Sequence, residues 1–182
     1  LFSLLNLGGL TFGLTTVLLI TLFIRDELSF DRFHEQKEDI YLSWHLMGRN
    51  KVKSDRMAYG LAKQIAEEVP EVRKLASFQS RNRLVTAGGQ TFLDNDMAYV
   101  NSDFLSVFDF PLIYGVAEAD NQSVLVSQTM AEKYFGDATL ALGKAITVDE
   151  KDEYVISGVL KDVPSNSTLQ FDFLSIENQL FD

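Results

Sequence analysis

The two histidines are the residues of this sequence best suited to chemistry, yet their spacing supports little of it. His34-Glu35-x-x-Glu38 resembles the zinc motif in which two histidines lie four residues apart on one helix face. Glu38 stands where that motif has its second histidine, and the other histidine of the chain, His45, falls in a predicted strand. Two isolated histidines do not supply the three or four ligands of a zinc site. We therefore predict no metal centre.

Other short motifs are equally incomplete. Asp94-Asn95-Asp96 begins like a calcium loop but lacks its glycine and closing glutamate, and Gly88-Gly89 is better explained as a hairpin turn. Ser127 and Ser157 have no histidine nearby in the sequence to activate them. The chain has no cysteine and no glycine-rich phosphate loop. These observations predict no catalytic residue, no cofactor bound by this chain, and no enzymatic activity.

Charge divides the chain into two parts. All 16 basic and 26 acidic side chains follow residue 24, and the net charge is -10. Such an excess of acids disfavours a nucleic-acid partner, because phosphate recognition needs clustered Lys and Arg. The uncharged residues 1–24 would rise about 36 Å as a helix, enough to cross a hydrocarbon core of about 30 Å. The run is too long for a signal peptide and has no small residues at its exit, so we predict a retained transmembrane helix over residues 1–24.

Small and polar residues within this span suggest that it packs against another helix. Gly9 and Gly13 have the small-xxx-small spacing that allows close approach of two helix backbones, and Gly8 lies beside them. Asn6 would seek a polar partner inside the membrane. Ordinary glycine usage in membrane helices is an equally good explanation of the glycines. We predict that Asn6, Gly8, Gly9 and Gly13 form a helix-packing surface.

The charged part is predicted to mix helices and strands. Residues 25–40 are interpreted as a helical continuation of the span, broken near Ser29-Phe30-Asp31. Met57, Leu61, Ile65 and Val69 recur at helical spacing before Pro70. The predicted helices cover 55–69, 101–107 and 127–136, with Asp55 and Ser127 as caps. The predicted strands cover 41–46, 72–79, 83–87, 90–93, 108–113, 123–126, 145–148, 154–160 and 169–176.

Five segments in this order resemble bacterial FtsX-like permeases of ABC transporters, with a periplasmic core domain of the MacB type. They are NLGGLTFGL, RDELSFDRFHEQKEDIY, YVNSDFLSVFDFPLIYG, SVLVSQTMAEKYFGDATLALGKAITV and YVISGVLKDVPSNSTLQFDFLS. The resemblance implies an α+β periplasmic domain of two lobes after the first span. Residues 25–38 would be the stalk, 39–79 the first half of a porter-like lobe, and 80–164 an inserted strand-rich lobe. Residues 165–182 would start the second half of the porter-like lobe, so the chain would be truncated at its C-terminus.

The resemblance also implies a function without catalytic residues in this chain. ATP would be bound by a cytoplasmic ATPase subunit, and a second permease copy, a periplasmic adaptor and membrane lipid would be the other partners. The stalk would transmit motion from the inner membrane to the periplasmic domain. We expect Arg25, Glu27, Phe30 and Phe33 to contribute to this coupling, although a plain core role explains the two phenylalanines equally well.

Two other functional classes share the sequence features. A single-span sensor ectodomain that binds a small ligand would also have one apolar helix before a folded domain. An FtsX-like regulator of cell-wall hydrolases would have the same membrane plan as an exporter. The residues do not specify the transported substrate, since exporters of lipoproteins, peptides and drugs all use this plan.

Overall fold

The computed structural model describes residues 2–54, 57–118 and 120–177, and it begins with the expected long helix. α1 (Phe2–Glu27) has 26 residues, none of them buried, and is long and apolar enough to cross a membrane. The hydroxyls of Thr11, Thr16 and Thr21 each donate to the carbonyl four residues earlier, at 2.8 to 2.9 Å. The helix therefore satisfies these polar groups internally, as a lipid environment requires.

The rest of the described chain consists mainly of strands, which confirms the predicted α+β class. In chain order the elements are β1 (His45–Met47), β2 (Val52–Ser54), α2 (Tyr59–Glu68), β3 (Phe78–Ala87), β4 (Gln90–Val100), α3 (Phe104–Val107), β5 (Leu112–Gly115), β6 (Ser123–Ser127), α4 (Gln128–Phe135), β7 (Ala145–Val148), β8 (Asp152–Leu160) and β9 (Phe173–Ile176). Single 3₁₀ turns cover Lys37–Asp39 and Ala138–Ala141.

Seven strands form one mixed sheet, and six of them close into a ring. The order is β5-β8-β6-β9-β4-β3-β7, with β7 pairing back onto β8. β6 runs parallel to β8, and β9 runs parallel to β4, while the other neighbours are antiparallel. β5 and β7 share one edge of β8, with β7 along its first half and β5 along its second. β8 is thus a central strand, as its apolar sequence predicts.

Alternate residues of these strands supply two hydrophobic cores. Val124 and Val126 of β6 lie in the first core, whereas Leu125 between them lies in the second. The first core is enclosed by the ring and includes Met97 and Phe173. The second core lies on the opposite face of the sheet and is rich in phenylalanine. Its buried members are Ala98, Val100, Phe104, Phe110, Leu125, Leu160, Phe171, Leu174 and Ile176.

α4 packs against the first core and has the caps that its sequence predicts. The Ser127 hydroxyl accepts a hydrogen bond from the N–H of Met130, and Gly136 ends the helix in the left-handed conformation with φ of 80°. The buried Tyr134 hydroxyl lies 3.3 Å from the Val85 carbonyl and 3.2 Å from Oδ1 of Asn95. These contacts hold α4 on the β3–β4 hairpin.

The stalk differs from the expected helical continuation. α1 ends at Glu27, and the next residues form consecutive turns up to residue 33. Asp31 has a φ of 53°, which a continuous helix does not allow, so the break expected near Ser29-Phe30-Asp31 is confirmed. Between this break and residue 40, only the short turn Lys37–Asp39 is helical. The prediction of a helical stalk was wrong because residues 29–35 replace the regular bonds of a helix by hydrogen bonds to the domain, made by Ser29, Asp31, His34 and Glu35.

Three predicted strands are also displaced. β1 begins at His45 rather than at 41, and β5 covers Leu112–Gly115 rather than 108–113. The predicted strand over 72–79 is irregular until β3 begins at Phe78. There the Asn101 side chain bonds the N–H of Ser77 and the carbonyl of Leu75, at 2.9 and 2.6 Å. A side chain has replaced the ladder that a strand would need.

Two sequence expectations meet the structure only in part. α2 begins at Tyr59, while Asp55, its predicted cap, lies outside the described residues. β9 pairs with β4 and β6 in the main sheet, although it follows the predicted lobe boundary at residue 164. The sheet therefore includes part of the segment that was expected to re-enter a porter-like lobe. The division into two lobes stays a prediction.

Candidate functional site

The chain leaving α1 is fastened to the domain within a few residues. We call this region the junction: residues 26–35, Asp109 and the loop residues 166–168. Its first link is Ser29, whose N–H and hydroxyl both donate to the carbonyl of Asp26, in the last turn of α1, at 2.9 and 2.7 Å. The Asn166 side chain donates to the carbonyl and hydroxyl of Ser29 at 3.0 and 3.1 Å. One amide thus joins the helix end to the β8–β9 loop.

The second link is the carboxylate of Asp31, which caps the same loop. Its Oδ1 accepts from the N–H of Thr168 at 2.8 Å and from the hydroxyl of Ser167 at 3.2 Å. Its Oδ2 accepts from the Thr168 hydroxyl at 2.5 Å, and the Asp31 N–H donates to the Asn166 carbonyl at 2.9 Å. The left-handed backbone at Asp31 turns the carboxylate and the N–H to the loop together. Hydrogen bonds to a charged group are worth about 1.5–3 kcal/mol each.

The third link joins His34 to Asp109, between α3 and β5. The N–H of Asp109 donates to Nδ1 of His34 at 3.0 Å, and the N–H of Glu35 donates to the Asp109 carboxylate at 2.7 Å. His34 is 3% exposed and lies against the rings of Phe108 and Phe110. Burial lowers the pKa of His34 despite the nearby Asp109, so the ring is neutral at pH 7.

Both domain segments of the junction are continuous with the sheet. The loop 166–168 leads through the buried Phe171 into β9, in the middle of the ring. Gln170 fixes the loop by donating to the carbonyls of Pro164 and Ser167, both at 2.8 Å. Asp109 stands between Phe108 and Phe110, which pack in the second core. The junction is therefore linked to the sheet through short and well-anchored connections.

The predicted helix-packing residues all lie on the exposed surface of α1. Asn6, Gly9 and Gly13 share one face of the helix, at spacings of three and four residues. A Cβ atom added at Gly8, Gly9 or Gly13 would meet no described atom within 4 Å. The face is thus open within the part of the chain that the structure describes. Its role in helix packing remains a prediction.

The four predicted stalk residues differ in their surroundings. Arg25 and Glu27 are exposed in the last turn of α1. Phe33 is partly buried against the second core, with its ring centre 6.0 Å from that of Phe110. Phe30 remains 41% exposed. Phe33 therefore packs against the domain, while a part for any of the four residues in coupling stays a prediction.

Sequence reasoning missed the polar residues that build the junction. The sequence indicates Ser29 and Asp31 only as a helix break, and it assigns no role to Asn166 or Thr168. His34 was considered as a metal ligand and set aside. The missed signal was a set of short polar side chains on two segments 137 residues apart, which is the usual composition of capped turns.

A second polar cluster lies where β3, β4, β8 and β9 meet. The Tyr154 hydroxyl and the Ser175 hydroxyl each donate to Oε1 of Glu177 at 3.0 Å. Burial, and then the charge of Glu177, raises the pKa of Tyr154, so its hydroxyl stays protonated. Arg83 bonds Asp149 at 2.7 Å beside this cluster. Within residues 2–54, 57–118 and 120–177, no group of His, Asp and Glu side chains could hold a metal ion.

Comparison with known proteins identifies the family. The model of the MacB-like periplasmic core domain matches residues 3–180. The chain belongs to this family. The family is one of transporter-permease periplasmic domains and not a family of enzymes. No curated protein sequence is significantly similar to the chain.

Solved structures of similar fold agree with the assignment. A domain of a permease protein from Porphyromonas gingivalis is 28% identical, with a TM-score of 0.58, 70% of this chain covered and 61% of that chain. The extracellular domain of the noncanonic ABC-type transporter YknZ from Gram-positive bacteria is 21% identical, with a TM-score of 0.53 and coverages of 64% and 61%. The periplasmic region of MacB from Actinobacillus actinomycetemcomitans is 16% identical, with a TM-score of 0.54 and coverages of 80% and 70%.

In this chain an apolar helix, α1, precedes the strand-rich part, and the match to the MacB-like periplasmic core domain includes both. That arrangement is typical of a membrane-anchored protein with its domain in the periplasm. The chain spans about three fifths of the length of the first two solved relatives, 61% in each case.

Proposed function

We propose that the chain is part of the permease subunit of an ABC transporter, and that the junction carries motion of the first span into the periplasmic domain. The observation that supports this most strongly is the triple attachment of residues 29–35. Ser29 bonds Asn166, Asp31 bonds Thr168, and His34 bonds Asp109. A flexible tether would only hold the domain near the membrane, whereas this attachment makes the helix end and the sheet move as one body.

The proposal assigns ATP hydrolysis to a partner. A cytoplasmic ATPase subunit binds and hydrolyses ATP, and its movement tilts or shifts α1 in the inner membrane. The periplasmic domain moves with α1. Together with a periplasmic adaptor protein, it exports a substrate such as a peptide, a drug or a lipoprotein.

A second permease copy is the proposed partner of the open face of α1. Asn6, Gly9 and Gly13 would contact another helix there, and lipid would cover the remaining surface. Gly8, about 100° around the helix from Gly9, would lie beside this contact and not within it. The net charge of -10 agrees with the absence of nucleic acid among the partners.

The proposal is tested by purifying the natural full-length protein together with an ABC ATPase from its genomic neighbourhood. The complex is placed in nanodiscs, and motion is followed with spin labels on Lys151, whose side chain is 83% exposed. We expect the ATPase to copurify and ATP to change the label-to-label distance between permease copies. Asp31→Ala should retain ATP hydrolysis and lose this distance change, while Glu38→Ala, an exposed carboxylate in the 3₁₀ turn, should behave like wild type.

Two results would contradict the proposal. One is the failure of any ATPase to copurify, and the other is an unchanged distance on ATP addition in the wild-type complex. Activation of a peptidoglycan hydrolase by the complex, without export, would instead identify a regulator of cell-wall hydrolases.

A further inference from the structure

His34 has an unusual environment for a titratable group. Its ring is buried, and the centres of the Phe33, Phe108 and Phe110 rings lie 4.0, 5.2 and 5.5 Å from its own. Nδ1 accepts the hydrogen bond from the N–H of Asp109, and Nε2 is buried without a hydrogen-bond partner. The histidine thus accepts one buried backbone N–H and leaves its other nitrogen unpaired among aromatic rings, a combination that calls for an explanation.

The hydrogen bond fixes the protonation state of the ring. Because Nδ1 accepts, it carries no proton, and the neutral ring has its proton on Nε2. Protonation would make Nδ1 a donor that faces the N–H of Asp109, a second donor. The bond would then be lost, and a positive charge would lie among three phenylalanine rings.

The charged groups around the ring favour protonation only weakly. Its own segment carries Asp31, Arg32 and Glu35, and residues 104–110 carry Asp109, whose carboxylate is 3.8 Å from Nδ1. Residues 163–171, the third segment of this region, carry no charge. Asp109 and Asp31 raise the pKa of His34, but burial is the larger effect and leaves that pKa lower than its ordinary value of 6.5.

We propose that protonation of His34 opens its link to Asp109, so that the span and the periplasmic domain separate more readily as the external pH falls. This rests on the proposed function and adds a regulation to it. The pH dependence has a definite sign. When the link is open the ring is exposed and titrates near 6.5, whereas in the closed link its pKa is lower. The closed link is thus fully favoured above 6.5 and weakens as the pH falls from there through the lowered pKa.

The test measures hydrogen exchange of two amides of the whole protein in nanodiscs, those of Glu35 and Asp109, which both donate within this link. Exchange is followed from about pH 7.5 to about pH 5, with intrinsic rates divided out, and the histidine rings are titrated by NMR. The signal that is missing from the spectrum of His34→Asn is assigned to His34. We expect protection of both amides to fall by up to about tenfold per pH unit, over the range in which His34 titrates.

His34→Asn is the decisive variant. Its Oδ1 can accept the Asp109 N–H as Nδ1 does, but it does not titrate, so protection should persist at low pH. The amide of Ile156, which donates to the carbonyl of Lys144 and whose side chain lies in the first core, is the control and should keep its protection throughout.

Two outcomes would overturn the proposal. The first is seen in the wild-type protein: the amides of Glu35 and Asp109 keep constant protection while His34 titrates. This result would count against the proposal even if His34→Asn failed to fold. Unaltered pH dependence in His34→Asn would do so as well. Neither measurement involves ATP or an ATPase, so a failure here is distinct from a failure of the proposed transport function.

Discussion

Asp31 and Thr168, 137 residues apart in the chain, are joined by two hydrogen bonds through one carboxylate. Asp31 lies four residues after the last residue of α1, and Thr168 lies five residues before β9 begins. The pair therefore connects the end of the apolar helix to a strand of the sheet through only a few residues on each side. Such a connection limits independent motion of the two parts.

The hairpin turn between β3 and β4 provides a test of the packing of α4. Gly88 and Gly89 both have positive φ, 57° and 77°, but only at Gly88 would a Cβ atom meet a neighbour, the Tyr134 carbonyl oxygen at 2.6 Å. We expect Gly89→Ala to lower the free energy of unfolding by about 1 kcal/mol, from backbone strain alone. Gly88→Ala should lower it by about 3 kcal/mol, because α4 must also shift. Chemical denaturation measures both, and equal losses would contradict the contact.

The Tyr134 hydroxyl should stabilise the domain through Asn95. Tyr134→Phe removes the hydrogen bond to the buried Asn95 side chain and leaves Oδ1 of that residue unpaired. We expect a loss of about 1–3 kcal/mol in the free energy of unfolding. Tyr114→Phe is the matched control, since Tyr114 is 42% exposed, and it should change stability little. If both variants lost the same amount of unfolding free energy, the hydrogen bond between Tyr134 and Asn95 would not be what stabilises the domain.

Asp172 should stabilise the folded domain more at acid pH than at neutral pH. Burial, the largest effect, raises the pKa of Asp172, so the unfolded chain ionises at a lower pH than the folded one. Its contribution is favourable below about pH 3.8 and is lost as the pH rises through the raised pKa. The stability of Asp172→Asn minus that of the wild type should therefore be greater at pH 7 than in acid. Thermal unfolding of both proteins at the two pH values measures this difference. A stability difference independent of pH would contradict this.

The glycine face of α1 should matter for transport and not for folding. Gly9→Leu and Gly13→Leu place bulk where the structure has open space, so the thermal unfolding of the periplasmic domain should not change. Transport or ATP-driven motion in the full complex should fall severalfold, because the helices could no longer approach closely. Thr11→Leu, on the opposite face, is the control. Normal transport in both glycine variants would contradict a role for helix packing in transport.

The sequence was most informative where a pattern is local. The lack of charge before residue 25 predicts α1, and the Ser127 and Gly136 caps predict α4. Strand existence was well predicted for β6, β7 and β8, whose apolar runs are buried. The resemblance of the five segments led to the family that the comparison identifies.

The junction could not be predicted because its bonds join distant segments. A polar side chain such as Asp31 or Asn166 has many local uses in turns, and its sequence does not say which partner it will find. The irregular backbone at 75–77 has the same cause, since its hydrogen bonds to Leu75 and Ser77 come from Asn101, which follows β4. The ring closure of β7 onto β8 likewise depends on the register of strands far apart.

The central claim, that α1 and the domain move as one body, is tested most directly by a distance between them. Spin labels at Leu28→Cys and Lys151→Cys are specific within this chain, which has no cysteine, and both positions are exposed, at 63% and 83%. The labelled protein is diluted with unlabelled protein in nanodiscs, so that each complex holds at most one labelled copy. We then predict one narrow distance distribution, unchanged by ATP when the ATPase partner is present, and a broad one in Asp31→Ala but not in Glu38→Ala. A broad distribution in the wild-type protein, or one equally narrow in Asp31→Ala, would contradict rigid coupling through the junction.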